Sequence, residues 1–207
     1  MAFGLDTAEN LNSSNFNWAN FHSWKEEWPQ FVGRYFGGGY NATAGEFTAF
    51  KTTTGGKCLY VLPIQGCQQS RQETSGSTGV SYGIVDAKQT IGNINKFLSS
   101  GELVVPPSSE IYVYLDVEPG VHLTPAYWAG WANQIFTMKG PSGSAVFWPA
   151  VYAQFVENSS NLWVLNSLVA NALNKACSDW PSYSGECYAL WPAQPEYYTA
   201  RRSVLMV

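Results

Sequence analysis

The chain has 207 residues, a formal net charge of −4 and only 11 Lys or Arg, which fits one domain with a sizeable core and leaves no basic surface for tracking phosphates. Charged residues make up 13%, against the usual share of roughly 25%, while 9 Trp, 12 Tyr and 11 Phe make the chain rich in aromatics. Nucleic acid is thereby excluded as a partner, and the balance fits a secreted or cell-surface protein, met here without a leader, that handles polar, uncharged molecules.

Residues 2–6 form a short apolar run ending in Asp6 and read as the first strand. Phe21, Trp24 and Trp28 fall at helical spacing within 17–28, and Pro29 stops that helix. Residues 31–36 read as a second strand, closed by Gly37, Gly38 and Gly39. A weak helix follows over 43–53, with Phe47 and Phe50 on one side. The run 58–64 is continuously apolar, as in a strand buried on both faces. Residues 65–78 hold no apolar side chain beyond Cys67 and read as a long exposed loop. The spacing of Ile84, Ala87, Ile91, Ile94 and Leu98 predicts a helix over 84–98, ended by Gly101.

Residues 111–115 are the next strand. Thr124 and Pro125 then start a helix, Thr supplying the N-cap oxygen and Pro occupying the first turn, where its missing amide hydrogen costs nothing. That helix carries Trp128, Trp131, Ile135 and Phe136. A strand over 145–151, a helix over 160–176 and a strand over 187–190 complete the order, with one more strand at 203–206. No run is long enough to span a membrane.

Strands and helices alternate without a composition break, so residues 1–207 form a single α/β domain of parallel strands joined by right-handed crossovers. No glycine-rich nucleotide turn follows the first strand, which leaves a doubly wound cofactor fold unsupported and no cofactor expected. Polar residues recur where strands end: Asp6, Arg34, Gln65, Asp116 with Glu118, Tyr152 and Gln194. Chemistry gathered at the carboxyl ends of several strands is the habit of a (β/α) TIM-type barrel with helices outside. Seven strands are countable rather than eight, so the barrel is irregular or incomplete.

Cysteines stand at 58, 67, 177 and 187, with no Cys-x-x-Cys and only His22 and His122 as imidazoles, so no metal site is expected. At least one disulfide is expected, and local pairing of Cys58 with Cys67 and of Cys177 with Cys187 is the simplest of three arrangements. Three Asn-x-Ser/Thr sites, at Asn12, Asn41 and Asn158, permit glycosylation without requiring it.

The stretch Tyr114-Leu115-Asp116-Val117-Glu118-Pro119 carries the chemistry. Residues two apart on a strand face one side, so Asp116 and Glu118 point together while Leu115 and Val117 point to the helices. Two neighbouring carboxyls leaving an apolar strand repel each other, and one must hold its proton more tightly than a free acid. Such asymmetry suits glycoside cleavage, in which one group donates a proton while another stays ionised. Asp6 adds a third acid at the end of the first strand. The expectation is a common pocket, with Glu118 the more protonated of the pair; a Glu118 pointing into solvent, or an Asp6 more than about 12 Å from both partners and so well beyond catalytic spacing, would overturn the glycosidase reading.

The chain resembles the glycoside hydrolase family 25 muramidases, and more closely the uncharacterised glycoside-hydrolase-like barrels of bacterial and fungal secreted proteins. The resemblance rests on Gly4-Leu5-Asp6, Gly33-Arg34-Tyr35-Phe36, Tyr60-Val61-Leu62-Pro63-Ile64, Leu115-Asp116-Val117-Glu118-Pro119, Trp148-Pro149-Ala150-Val151-Tyr152 and Ala189-Leu190-Trp191-Pro192-Ala193-Gln194, in that order. It implies a monomeric hydrolase of N-acetylated cell-wall polysaccharide such as peptidoglycan. Glu118 would be the general acid, Asp116 would stabilise the charge developing on the sugar or steer a nucleophile, and Asp6 would complete an anionic floor. Tyr152 and Trp191 would line the sugar groove. From their places where strands end, and not from the resemblance, Arg34, Gln65 and Gln194 are expected to complete the substrate-binding set, Arg34 by a salt bridge that holds one of the acids. The Trp-Gln-Tyr-like closing strand of the muramidases is absent.

Two other readings stand beside this one. Asp116-x-Glu118 is similar to the chitinase-type signature, in which the first acid positions the substrate's N-acetyl group, although Tyr112 and Tyr114 replace the upstream acids of that pattern. A barrel that binds cell-wall glycan without cutting it would keep the same acids and aromatics. Of the aromatics, Phe21, Trp24, Trp128, Trp131 and Phe136 are expected in the core, while Tyr152, Trp191 and Trp148 are expected along the groove.

Overall fold

The computed structural model describes residues 4–11, 31–53, 55–56, 60–106, 109–153, 155–157, 163–165, 167–179 and 190–192, without the side chains of 4–7, 155–157, 163–165, 167–168, 176–179 and 190–192. The helix expected over 17–28, the strand over 203–206 and Gln194 lie outside these residues.

In chain order the elements are strand β1 (Gly4–Thr7), β2 (Phe31–Gly37), helix α1 (Glu46–Thr53), β3 (Tyr60–Gln65), α2 (Gln69–Gln72), α3 (Gly76–Ser100), β4 (Ser109–Val117), α4 (Pro125–Thr137), β5 (Ala145–Ala153), β6 (Phe155–Glu157), β7 (Trp163–Leu165), α5 (Ser167–Asp179) and β8 (Leu190–Pro192). Six strands form one parallel sheet in the order β1-β2-β3-β4-β5-β8, and β6 and β7 pair antiparallel as a small separate sheet. The protein is thus an α/β fold with a parallel sheet. No pairing joins β1 to β8 among the described residues, so the sheet is seen open.

Alternation along the strands divides the sheet into two faces. Val32 and Phe36 of β2, Val113, Leu115 and Val117 of β4, and Phe147 and Val151 of β5 join the large core cluster with residues of α1, α3, α4 and α5. Phe31, Tyr35, Ile64, Tyr114 and Ala150 form a second cluster on the opposite face, with Leu62, Tyr112 and Tyr152 against it. These four helices therefore cover one face only, and the strands follow one another in order. A doubly wound sheet would have helices on both faces and a reversal of order.

The helix signals in the sequence act where expected. Thr124 accepts the Tyr127 amide as N-cap, Pro125 opens α4, and Gly101 closes α3 in the left-handed region at φ 78°. Helices α3 and α4 approach almost backbone to backbone. A Cβ at Gly83 would collide with the Tyr127 carbonyl, and one at Gly130 with that of Val80.

Four expectations are corrected. Residues 65–78 are exposed in part, as at Gln69, Ser70 and Glu73, but are not a loop: they contain α2 and the start of α3, and Gln65 and Gln72 are fully buried because side chains and backbone groups of other elements satisfy their amides. The run at β3 is not buried on both faces throughout, since Tyr60 at its start is exposed. The helix expected from 160 begins at Ser167, because Trp163, Val164 and Leu165 pair with 155–157 instead. Phe136 is exposed, resting on Trp148 with ring centroids 5.1 Å apart, whereas Trp128 and Trp131 are buried as expected. No described helix is long and apolar enough to cross a membrane.

Candidate functional site

Asp116 lies one residue before the end of β4, on the face opposite the helices. It is 3% exposed, while Glu118, just past the strand, is exposed. Both line an open cavity of about 470 Å³ at the carboxyl ends of the strands, together with Ala8, Glu9, Tyr35, Gly39, Tyr40, Gly66 and Cys67. That volume lies in the range of small-ligand sites. Asp116 Oδ2 accepts from the Tyr35 hydroxyl at 3.4 Å and from the Cys67 amide at 3.4 Å. Gly66 makes this possible, since a Cβ there would press on the Tyr35 ring at 3.2 Å.

Burial pushes the Asp116 carboxyl up to about 7, and the like charge of Glu118 beside it adds to the rise; the Cys67 amide and Tyr35 hydroxyl oppose both, while a hydrogen bond shared with Glu118 raises it further. Asp116, the buried member of the pair, therefore holds its proton more tightly than a free carboxyl, where the sequence had pointed to Glu118. Glu118 is exposed at the mouth of the pocket, which it lines together with Asp116.

The other expected residues divide sharply. Arg34 does not line this cavity: it is fully buried, and its guanidinium lies 2.5 Å from Glu46 and donates to Asn10 and to the carbonyl of Tyr40. The acid it holds is Glu46, which also accepts the amides of Leu11 and Thr43. Arg34 thus ties down the segments after β1 and β2 that form two walls of the cavity. Gln65 is also buried away from it, bonded to Tyr127, Trp131 and Thr90 of the helix layer. The physical reason is shared: Arg34 neighbours Tyr35 and Gln65 neighbours Ile64, and successive strand residues point to opposite faces.

Asp6 pairs in register with Gly33, and the residues that follow β1, Ala8 and Glu9, reach the cavity; the Asp6 side chain itself is outside the described residues. Asp116, Tyr152 and Trp191 share one row across β4, β5 and β8. Tyr152 is half-buried on the pocket face, and the Trp191 side chain is not among those described. Trp148 lies near the middle of β5, half-buried, rather than at its end. Cys67 is a free thiol, so the pairing with Cys58 is not formed; Cys58, Cys187 and the Cys177 side chain lie outside the described residues. Burial raises the Cys67 thiol, aided by the acids around it, so it is protonated at neutral pH.

Sequence reasoning passed over Glu9, Tyr40 and Cys67, and took Tyr35 only as part of a motif. Tyr35 was findable, since counting alternate residues along β2 sets it on the face opposite Val32 and Phe36. Tyr40 is 62% exposed and meets Tyr35 edge to face at 6.2 Å, giving the cavity an aromatic rim. No group of three or more metal-ligating side chains occurs among the described residues.

Fold and site together define an α/β protein with a parallel sheet and an acidic, tyrosine-rimmed pocket at the strands' carboxyl ends. The chain is similar in fold to an uncharacterized protein of B. stearothermophilus known from a 1.07 Å crystal structure, with a TM-score of 0.64, 17% identity, and coverage of 99% of this chain and 82% of that one. No protein-family model and no curated protein matches the chain.

Proposed function

We propose that this chain is a glycoside hydrolase of the muramidase-like barrel type, cleaving N-acetylated cell-wall glycan with Asp116 and Glu118 as a proton-sharing pair. The observation that carries the reading is the Asp116 carboxyl, held near pH 7 against Glu118 in an open pocket. A carboxyl titrating there holds a proton at working pH and gives it up readily to a leaving-group oxygen. Consecutive strand order and one-sided helices support a barrel wall, with Tyr152 and Trp191 assigned to sugar stacking and Asp6 to the pocket floor.

The separation of the two carboxyls bears on mechanism. Glycosidases that use two independent acids hold them about 5–5.5 Å apart when retaining and roughly 6.5–9.5 Å when inverting. In the chitinase-like alternative the substrate's own acetamido oxygen attacks the anomeric carbon while the pair supplies the proton to the leaving oxygen.

The test is release of reducing ends from purified peptidoglycan and from N-acetylglucosamine oligomers. Wild type should cleave at least one of them, the de-acetylated oligomer should resist, and Asp116→Asn and Glu118→Gln should each lose about 10²-fold or more in rate. Binding without any release by wild type would replace the enzyme with a glycan-binding module.

A further inference from the structure

We propose that Gln72 is a positioning residue for Asp116, holding the end of β4 and the Cys67 turn at the separation where the Cys67 amide meets the Asp116 carboxyl. Gln72 is fully buried on α2, a helix of 4 residues. So short a helix does not hold its own place and must be fixed by tertiary bonds. Gln72 Nε2 donates to the backbone carbonyl of Asp116 at 2.9 Å, and its Oε1 lies 3.9 Å from the Cys67 thiol. One side chain thus grips both the strand that bears the acid and the turn that bonds it.

The position has a backbone reason. Strand β3 pairs with β4 only as far as Gln65 opposite Leu115, and Gln72 supplies a donor to the carbonyl one residue beyond. Gln72 is itself pinned, since its carbonyl accepts from the amide of Thr124 at 2.9 Å and from its hydroxyl at 3.1 Å. On the neighbouring residue, Arg71 meets Asp86 of α3 at 2.9 Å. The proposal rests on this geometry and not on the glycoside reading.

Groups facing the Asp116 carboxyl are Glu118 on its own chain segment, Tyr35 from β2, and Cys67 from the turn after β3; Tyr152 adjoins it in register from β5. With Glu118, Tyr35 and Tyr152 left in place, a change at Gln72 acts on Asp116 through the Cys67 amide.

The experiment is carboxyl-carbon NMR titration of Asp116 in the full chain, without substrate. Gln72→Leu keeps the buried volume but removes both bonds. It should move the Asp116 midpoint upward by about half a unit or more, because a hydrogen bond to the charged form is lost while burial stays. Gln72→Met gives the same reading should the leucine variant not fold. Asn93→Leu is the control: it removes a comparable side-chain bond, to the Phe36 carbonyl at 2.8 Å, and should leave the midpoint in place. A midpoint unchanged in the Gln72 variants, one that falls because water has entered, or one that moves equally in Asn93→Leu would overturn the proposal. Loss of glycan cleavage in wild type would sink the enzymatic reading and leave this one standing.

Discussion

Two donors hold Asp116 in check. The Tyr35 hydroxyl and the Cys67 amide both favour its charged form, against burial and the nearby charge of Glu118. Tyr35→Phe removes one of them with little change in volume. The Asp116 midpoint should then rise above its present value of about 7, by about a few tenths of a unit to one unit. If Asp116 donates the proton, the alkaline fall in cleavage rate moves upward by the same amount, and a rate profile across pH 5–9 reads it. A limb that stays put would assign the proton to another group. Alternation along β4 made the pairing of Asp116 with Glu118 legible in the sequence. Which of the two is buried was not legible, because the cover comes from residues 66–72, far upstream. Arg34 and Gln65 were misplaced for a simpler reason: Arg34 sits in the middle of β2 and only Gln65 at a strand end, and the parity of both turns them to the helix face.

At the scale of elements, apolar periodicity and capping were legible and polar anchoring was not. Thr124, Pro125 and Gly101 mark helix ends by their own backbone and side-chain chemistry, so α4 begins and α3 ends where the sequence implies. Residues 65–78 read as loop because their polarity was taken for exposure. In the fold, Gln65 and Gln72 are buried by partners from helices and strands distant in sequence. Helix α3 consequently starts at Gly76 instead of 84. Its contact with α4 yields a prediction. Gly83→Ala or Gly130→Ala forces a methyl group against the facing helix's backbone, which cannot rotate away as a side chain can. Each should cost about 1–3 kcal/mol, the usual penalty of overpacking. Gly92→Ala, in the same helix and facing open space, should be neutral or slightly stabilising. Urea unfolding of the three variants checks the contrast, and equal effects at all three would mean that the close helix crossing does not set the cost.

For the molecule as a whole, the sheet order and its one-sided helix layer follow from strand–helix alternation, whereas closure depends on pairings that sequence pattern does not encode. The buried acid sets a pH dependence on the entire fold. The Asp116 carboxyl is higher in the native state, about 7, than its ordinary value of 3.8, so the native state binds the proton more tightly than the unfolded chain does. Its contribution to stability is fully present below the unfolded value and is lost as pH rises through the native one. Asp86, buried against Tyr127 and Arg71 and raised by desolvation, acts in the same direction. Each pH interval of one over which the native state holds a proton that the unfolded chain has lost is worth about 1.36 kcal/mol. Between pH 8 and 5.5 the Asp116 contribution therefore amounts to about 2 kcal/mol. In a domain of this size that corresponds to a rise in melting temperature of roughly 4–8 °C. Asp116→Asn keeps an oxygen acceptor for Tyr35 and Cys67 but cannot ionise, so it should melt higher than wild type at pH 8 and lose about half of that advantage by pH 5.5. The difference between the two proteins across pH isolates Asp116 from every other titrating group. A difference that stays flat would mean that Asp116 is charged throughout, and proton donation from it would have to be abandoned.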